Sequence, residues 1–164
     1  MAIDIGNIKT QFKSVMDTFN VTTAAYDLST GLNTRVQKVF KVNPIKIPIQ
    51  ATLFPYVTIY PTDKEIDASQ IARDQLTAKR IADVGFNIVG AVWEPNNITV
   101  DSDPADDQIE KLMENVEEVL RRNFKLNGAV EWTRPEKVSY HTYPIDEQAH
   151  MRVGLLEIVA KITY

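Results

Sequence analysis

Residues 103–123 constrain the fold of this chain more than any other segment, because they combine an amphipathic helical pattern with signals at both ends. Asp103 can cap the first turn, and Pro104 fits the first helical position. Arg121 and Arg122 suit the negative C-terminal end of a helix. The long apolar residues recur at steps of three and four and therefore share one face: Ile109, Leu112, Met113, Val116, Val119 and Leu120.

A second helical stripe lies in residues 5–19, and segments with strand patterns separate or follow the two helices. Its long apolar members are Ile5, Ile8, Phe12, Val15, Met16 and Phe19. The predicted strands cover residues 54–60, 80–93, 129–133, 137–143 and 152–164. These elements predict an α+β fold, with a mainly antiparallel sheet and two amphipathic helices packed on one face.

Prolines mark the irregular parts of this sheet. Pro44 and Pro48 break the β-rich residues 36–50, which predicts an edge strand or an extended arm there. Pro61 is predicted to end the strand before it, and the polar, charged residues 62–79 that follow are predicted to form a long loop. A chain of 164 residues makes about one domain, so we expect a single domain over the whole length.

Two glycines interrupt the longest strand pattern. Gly85 and Gly90 lie within residues 80–93, where apolar and other residues otherwise alternate. A glycine inside a strand indicates a bulge or a place where another part of the protein comes close. We expect one or the other at each position.

The composition excludes several kinds of site. The chain is 44% hydrophobic and 24% charged, as ordinary globular proteins are. It contains no cysteine, which excludes disulfides, thiolate zinc sites and cysteine nucleophiles. We expect neither a secretory signal nor a membrane span, because the first residues lack a basic region and no run of about 18 apolar residues exists.

The other chemistry-bearing residues do not form a recognised catalytic or metal-binding pattern. His141 and His150 are too far apart for the helical spacing of a zinc protease. Residues 101–107 resemble the start of a calcium loop, but Asp106 occupies the glycine position and Leu112 the position of the bidentate glutamate. Neither a nucleophile elbow nor a phosphate-binding glycine loop occurs. We therefore predict no catalytic residue, no metal site and no cofactor, and expect that the protein is not an enzyme.

Charge is unevenly distributed along the chain, whose net charge is −4. Residues 103–123 hold seven acidic and three basic residues, a balance equal to that of the whole chain. Residues 35–46 hold four cations and no acid: Arg35, Lys38, Lys41 and Lys46. Two interpretations stay open: both segments are solvated faces, or they are complementary edges that meet between copies of the protein. The sequence pI near 5.2 argues against tight binding of nucleic acid.

Aromatic residues are frequent in the predicted strands. The six that fall there are Tyr56, Tyr60, Trp93, Trp132, Tyr140 and Tyr143. Some are expected to complete the core. Others are candidates for anchoring a protein interface, where Tyr and Trp are enriched.

The order of these elements resembles that of the tail-terminator (tail completion) proteins of long-tailed bacteriophages. The match begins with the N-terminal helical stripe and the strand Phe54-Pro-Tyr-Val-Thr-Ile-Tyr-Pro with its charged continuation. The strand over residues 80–93 and the helix that ends in Val119-Leu-Arg-Arg-Asn-Phe-Lys-Leu-Asn-Gly follow. Leu155-Leu-Glu-Ile-Val-Ala-Lys-Ile-Thr-Tyr completes the match. The resemblance covers nearly the whole chain and is one of pattern, not of an invariant motif.

The resemblance implies a structural virion protein that assembles as a hexameric ring on the last ring of the tail tube. Such a ring stops tube polymerisation and offers the surface to which the filled head attaches. The implied partners are further copies of the chain, the tail tube protein and a head-completion or connector protein, with the sheath as a further candidate. DNA is implied only as passing cargo, and no membrane is involved. The implied location is the tail–neck junction of the virion, after synthesis in the host cytoplasm.

Two sets of residues are candidates for these contacts. The candidates for the interface between subunits are Arg35, Lys38, Lys41, Lys46, Glu110, Glu114, Glu117 and Glu118. The candidates for contact with the tube or its channel are Asp63, Lys64, Glu65, Asp67, Arg73 and Lys79. The alternatives are another neck, connector or tail tube protein and, in a different class, a small ligand-binding domain or enzyme.

Overall fold

The apolar stripes of both predicted helices face the same side of a sheet. The computed structural model describes residues 3–21, 27–67, 81–95, 104–147 and 149–163. In these ranges the elements in chain order are α1 (Ile5–Val21), β1 (Lys38–Phe40), β2 (Tyr56–Asp67), β3 (Ile81–Pro95), α2 (Pro104–Arg122), β4 (Trp132–Pro144) and β5 (Ala149–Thr163). Short 3-10 turns cover Pro44–Lys46, Ala51–Leu53 and Leu126–Gly128. None of the helices in the described ranges is long and apolar enough to cross a membrane.

The five strands of the described residues form one sheet in the order β1-β2-β3-β5-β4. Strands β1 and β2 are parallel, and every other neighbouring pair is antiparallel. The short strand β1 and the long strand β4 are therefore the two edges. The predicted α+β class with a mainly antiparallel sheet is confirmed.

Both helices cover the same face of the sheet, which we call the inner face. Helix α1 contacts β1 and β2, whereas α2 contacts β3, β5 and β4. The stripe of α2 is buried, with Leu112, Val116 and Leu120 fully inaccessible. The ring of Phe12 in α1 lies 5.2 Å from the ring of Phe86 in β3. Removal of this apolar area from water stabilises the two-layer arrangement.

Strand β2 continues past Pro61, so the prediction that this proline ends the strand is wrong. Pairing between β2 and β3 extends to Asp67. The prediction of a long loop over residues 62–79 is therefore wrong for residues 62–67. Residues 68–79 lie outside the described residues.

A bulge follows Pro61 in β2. The register between β2 and β3 shifts between Pro61 and Lys64, so that two residues of β2 lie opposite one residue of β3. A side chain at Gly85 would collide with the side chains of Thr62 and Asp63. Pro61 itself is the register partner of Phe86, and the absence of a side chain at Gly85 makes room for the two bulged residues that follow the proline. This confirms the expectation of a bulge at Gly85.

Strand β4 is one continuous element where the sequence patterns predict two. It replaces the predicted strands over residues 129–133 and 137–143 and crosses Pro135 with an irregularity before Lys137. Proline is tolerated on an edge strand, where the missing N–H would point to solvent. Since β4 is such an edge, its proline does not interrupt the strand.

The connection between the parallel strands β1 and β2 crosses the opposite, outer face of the sheet. We call residues 43–54 of this connection the arm. Ile47 of the arm is 7% exposed and packs in an apolar cluster that reaches Val153 of β5. The buried hydroxyl of Thr58 donates a hydrogen bond to the carbonyl oxygen of Val42, which holds the start of the arm against β2. Both the predicted edge strand and the predicted arm are therefore present.

Candidate interaction surfaces

The basic segment, residues 35–46, lies along the β1 edge of the sheet and against α1. The guanidinium group of Arg35 donates to the carbonyl oxygen of Asn20 near the end of α1. The ammonium group of Lys41 donates to the hydroxyl oxygen of Thr10 at 3.2 Å. These contacts with neutral oxygens fix the positions of the two cations without neutralising them.

The other two cations of the basic segment also keep their charge exposed. The ammonium group of Lys38 lies 5.2 Å from the centre of the Phe40 ring, a cation–π contact on the outer face. Lys46 is exposed on the arm. Among the described residues, none of Arg35, Lys38, Lys41 and Lys46 forms an ion pair with an acid. The β1 edge therefore presents positive charge that a partner can neutralise.

The acidic face, formed by Glu110, Glu114, Glu117 and Glu118 of α2, lies beside the β4 edge. The pKa of Tyr140 in β4 reflects this position. Its partial burial raises the pKa of the phenol, and the carboxylates of Glu110, Glu117 and Glu114 raise that pKa further. Helix α2 thus places its acids above the strand at the end of the sheet that is opposite the basic segment.

Glu118 is the least available member of the acidic face. Its two carboxylate oxygens accept hydrogen bonds from Arg121 and Arg122 within the same helix. These hydrogen bonds lower the pKa of Glu118 from its ordinary value. Because these pairs are exposed to solvent, they contribute little to helix stability.

The remaining acids divide into one paired and two unpaired groups. The carboxylate of Glu114 lies 2.9 Å from the ammonium group of Lys111. Glu110 and Glu117 form no ion pair with any residue that the structure describes. Of the eight candidates for the subunit interface, four cations therefore lie at one edge of the sheet and four acids at the other.

The candidates for contact with the tube lie at the far end of the β2–β3 hairpin. Lys64, Glu65 and Asp67 pair in register with β3, and Asp63 is exposed at the bulge. The hydroxyl of Thr62 donates to the Asp63 carboxylate at 2.8 Å. The candidates Arg73 and Lys79 lie outside the described residues.

Sequence reasoning missed an apolar groove on the outer face, between the arm and the β4 edge. Its volume is about 500 Å³. Met151, Val153 and Leu155 of β5 contribute to its floor, and Tyr143 of β4 belongs to its wall. The lining contains no Asp, Glu, Lys or Arg. Such a surface fits an apolar occupant.

Three isoleucines of the arm, Ile45, Ile47 and Ile49, line one side of this groove. Ile45 is 88% exposed and Ile49 is 60% exposed, whereas Ile47 between them is buried. Ile45 lies within the 3-10 turn Pro44–Lys46 and Ile47 follows that turn, so the isoleucines do not share one side of the chain. The sequence spacing gave no signal for this difference, because residues at steps of two share one side of an extended strand.

The strand aromatics divide between the core and the surface. Tyr56 is buried in the outer apolar cluster, and the ring of Trp93 lies 5.6 Å from that of Phe54. Tyr140 and Tyr143 are about half exposed, at 47% and 49%. The two exposed tyrosines both belong to the β4 edge and point to opposite faces of the sheet, since they are three residues apart.

The histidines and the calcium-like segment have structural surroundings. His141 belongs to the lining of the groove. Asp106 forms an ion pair with Arg152 of β5, which links α2 to the sheet. Residues 101–103 lie outside the described residues, so the predicted helix cap at Asp103 stays a prediction. Within the described ranges, no group of three or more His, Asp or Glu residues is arranged to hold a metal ion.

The sequence matches no protein-family model and none of the curated proteins. The function must therefore be inferred from the fold and from three surfaces: the basic β1 edge, the acidic β4 edge and the apolar groove.

Proposed function

We propose that this chain is a tail-terminator protein of a long-tailed bacteriophage, which forms a hexameric ring on the end of the tail tube. The ring stops tube polymerisation and provides the surface for head attachment. Its partners are copies of itself, the tail tube protein and a head-completion or connector protein, with the sheath as a further candidate. It acts by shape and charge complementarity and not by catalysis.

The observation that carries this proposal is the position of opposite charges at opposite edges of one sheet. A ring requires heterologous contacts, in which one surface of a subunit meets a different surface of the next. The basic segment lies at the β1 edge and the acidic face beside the β4 edge. Because the four cations and two of the acids lack ion-pair partners among the described residues, they can pair across such a contact.

The end of the β2–β3 hairpin is the proposed contact with the tube. Strand β2 carries the candidates Asp63, Lys64, Glu65 and Asp67 towards this end. Arg73 and Lys79 belong to the same connection in the sequence. Termination requires one ring face that docks onto the tube and another that does not accept further tube subunits.

Electron microscopy of the purified protein, with and without tail tubes, tests this proposal. We expect single rings, or monomers that form one ring at a tube end. Long tubes made of this chain alone would instead identify a tube subunit. Binding to head connectors without binding to tubes would identify another neck component.

The groove favours a second candidate function, the binding of a small apolar ligand. Its volume of about 500 Å³ lies in the range of small-molecule sites, and Phe54, Tyr56, Tyr60 and Tyr143 line it. Native mass spectrometry of the purified chain distinguishes the two functions. A bound small molecule of constant mass, together with no association with tubes, would support the second.

A further inference from the structure

We propose that a second cavity, between the C-terminal half of α2 and the β4 edge, binds the guanidinium group of an arginine side chain, with Glu117 and Thr133 as the acceptors of its hydrogen bonds. The volume of this cavity is about 340 Å³. Its lining combines a helical side, from α2, with a strand side, from β4. The site does not depend on the proposed ring, because any arginine of suitable access can fill it.

Thr133 on the strand side has a buried hydroxyl group that needs a partner. The residue is 8% exposed, and its hydroxyl oxygen is buried without a hydrogen bond to any described residue. The register partner of Thr133 is Ala160 of the inner core, so the side chain points to the inner face, where it lines the cavity. A buried hydroxyl without a partner destabilises the fold, and a donor in the cavity would remove that cost.

Glu117 on the helical side is an acid without a counterion. Three glutamates of α2 line the cavity, at steps that place them on one side of the helix: Glu114, Glu117 and Glu118. Lysine and arginine residues of the same helix pair with Glu114 and Glu118. Glu117 is partly buried and forms no ion pair with any residue that the structure describes. The cavity therefore joins one uncompensated carboxylate to one unpaired hydroxyl, which selects a cationic donor.

An aromatic ring in the lining favours guanidinium over ammonium. Phe124 is 44% exposed, and its carbonyl oxygen accepts from the N–H of Thr133 at 2.8 Å, which holds the ring beside the cavity. The ammonium group of Lys125 lies 5.8 Å from the centre of this ring, so one of its two faces already contacts a cation. A guanidinium group donates in several directions within one plane, so it can reach both acceptors and stack on a ring. An ammonium group is more strongly hydrated and loses more on entering a partly buried site.

Titration with small compounds tests the charge and shape of the ligand. The probes are ethylguanidinium, ethylammonium and N-ethylurea, the last being a neutral group of nearly the same shape as the first, all at constant ionic strength. The NMR signal of the Thr133 methyl group, assigned by its loss in Thr133→Val, follows binding in threonine-labelled protein. We expect a saturable shift with ethylguanidinium, at least about fivefold weaker binding of ethylammonium and no saturable shift with N-ethylurea.

Substitution of each acceptor tests its role. Glu117→Gln should raise the Kd for ethylguanidinium at least about fivefold, because a charge-assisted hydrogen bond is lost. Glu110→Gln is the matched control, since Glu110 is an exposed acid of the same helix that does not line the cavity. It should raise the Kd less than about twofold, because the charge it removes is screened by solvent. Equal effects of the two variants would overturn the site.

Thr133→Val keeps the shape of the strand side and removes its hydroxyl group. It should raise the Kd for ethylguanidinium at least about threefold, measured on the methyl signals of the introduced valine in valine-labelled protein. Urea denaturation should find this variant no less stable than the wild type, because the hydroxyl that it removes has no partner among the described residues. An unchanged Kd in a folded Thr133→Val protein would overturn the role of Thr133.

Dilution identifies the source of the arginine. Arg35 is the one arginine of the basic segment. If Arg35 of a second copy fills the cavity, the Thr133 signal moves towards its unbound position on dilution, and the Arg35→Gln protein shows no such movement. A signal that does not depend on dilution, in a protein that still binds ethylguanidinium, assigns the arginine to a different protein. Either result supports the site.

The outcomes separate this site from the proposed function. Rings on tube ends without saturable binding of ethylguanidinium would overturn the site and leave the terminator function standing. Saturable binding that depends on Glu117 and Thr133, in a protein that never joins tubes, would do the reverse. Equal binding of ethylguanidinium and N-ethylurea would also overturn the site, because charge would then play no part.

Discussion

Asn115 is a polar residue on the buried side of α2, and its hydrogen bonds explain its presence there. Its side chain is 7% exposed and donates to the carbonyl oxygens of Leu28, at 3.1 Å, and Thr30, at 2.8 Å. It thereby ties α2 to the turn that follows α1. A buried acceptor that loses its donor costs more than the hydrogen bond contributes.

Asn115→Ala should therefore lower the free energy of unfolding by about 1–3 kcal/mol. Urea denaturation followed by circular dichroism measures the change. Gln108→Ala is the matched control in the same helix, because Gln108 accepts one hydrogen bond from the backbone of Asn33 at an exposed site. The control should cost less than about 0.5 kcal/mol. Equal costs for both variants would contradict the role assigned to Asn115.

The pKa of Tyr140 responds to the negative charges of the acidic face. Burial and the nearby carboxylates of α2 raise its pKa above 10.0. Because the folded state disfavours the phenolate, the associated stability is present below the ordinary pKa and is lost as the pH rises through the higher folded value. The effect concerns alkaline pH and leaves stability near neutrality unchanged.

Glu117→Gln should lower the pKa of Tyr140 towards 10.0, because it removes one of the carboxylates that raise it. An ultraviolet difference titration against Tyr140→Phe isolates this phenol from the other tyrosines. Glu131→Gln serves as the control, since Glu131 is an exposed acid that does not contribute to the pKa of Tyr140. An identical titration in all three backgrounds would show that the acidic face does not lie over β4.

At the scale of elements, α2 approaches the sheet closely because two glycines face it. Gly90 of β3 and Gly154 of β5 are register partners. A Cβ at Gly90 would lie 2.8 Å from the sulfur of Met113 and 3.0 Å from Leu112, and one at Gly154 would lie 2.8 Å from the same sulfur. Met113 therefore occupies the space above both glycines, which confirms the close approach expected at Gly90.

Gly154→Ala should lower the free energy of unfolding by about 1–3 kcal/mol, because the added methyl group overpacks this contact. A double-mutant cycle with Met113→Ala is the control. In the Met113→Ala background the cost of Gly154→Ala should shrink, since the space is then empty. Simple additivity of the two costs would contradict the packing described here.

Local patterns predicted the elements well but missed the contacts that extend them. The stripes of α1 and α2 and the alternation around Phe86 and Ile158 are properties of single segments, and they predicted the inner core. The continuation of β2 past Pro61 depends on Gly85, a residue distant in the sequence. In the same way, the burial of Ile47 depends on Val153 of β5, which no pattern within the arm reveals.

The charged candidate residues could be selected from the sequence, whereas the apolar groove could not. Counting charges was sufficient to select the basic segment and the acids of α2. The sequence predicted an edge strand within residues 36–50, but it could not say that β4 would be the other edge, because the strand order places β5 between β3 and β4. The groove exists only because the arm folds over the outer face and stops short of Tyr143.

At the scale of the whole molecule, the proposed ring makes assembly dependent on pairing between edges of unlike charge. Arg35→Glu/Lys38→Glu/Lys41→Glu makes both edges acidic, since only Lys46 of the four cations remains, whereas Glu110→Lys/Glu117→Lys makes both edges basic. Neither variant should form rings alone, but an equal mixture should form rings in which the two variants alternate. Light scattering at increasing salt measures assembly, which should weaken in the mixture as charges are screened.

Each variant alone and the wild-type protein are the controls for the mixture. If the Arg35→Glu/Lys38→Glu/Lys41→Glu variant assembles like the wild type at low salt, the edges are solvated faces and not complementary surfaces. If both variants fail alone and the mixture also fails, the charges matter for another reason than contact between neighbouring edges.

The strand order has a consequence for synthesis on the ribosome. Within the described residues β4 has β5 as its sole partner in the sheet, and β5 follows it in the chain. During synthesis, the basic β1 edge can therefore form before the β4 edge that lies beside the acidic face. Strand β4 has to wait until β5 has emerged and paired with β3. In the proposed ring, neighbouring chains on one messenger would therefore be unable to close the ring prematurely, since each still lacks one of the two surfaces that meet in that proposal.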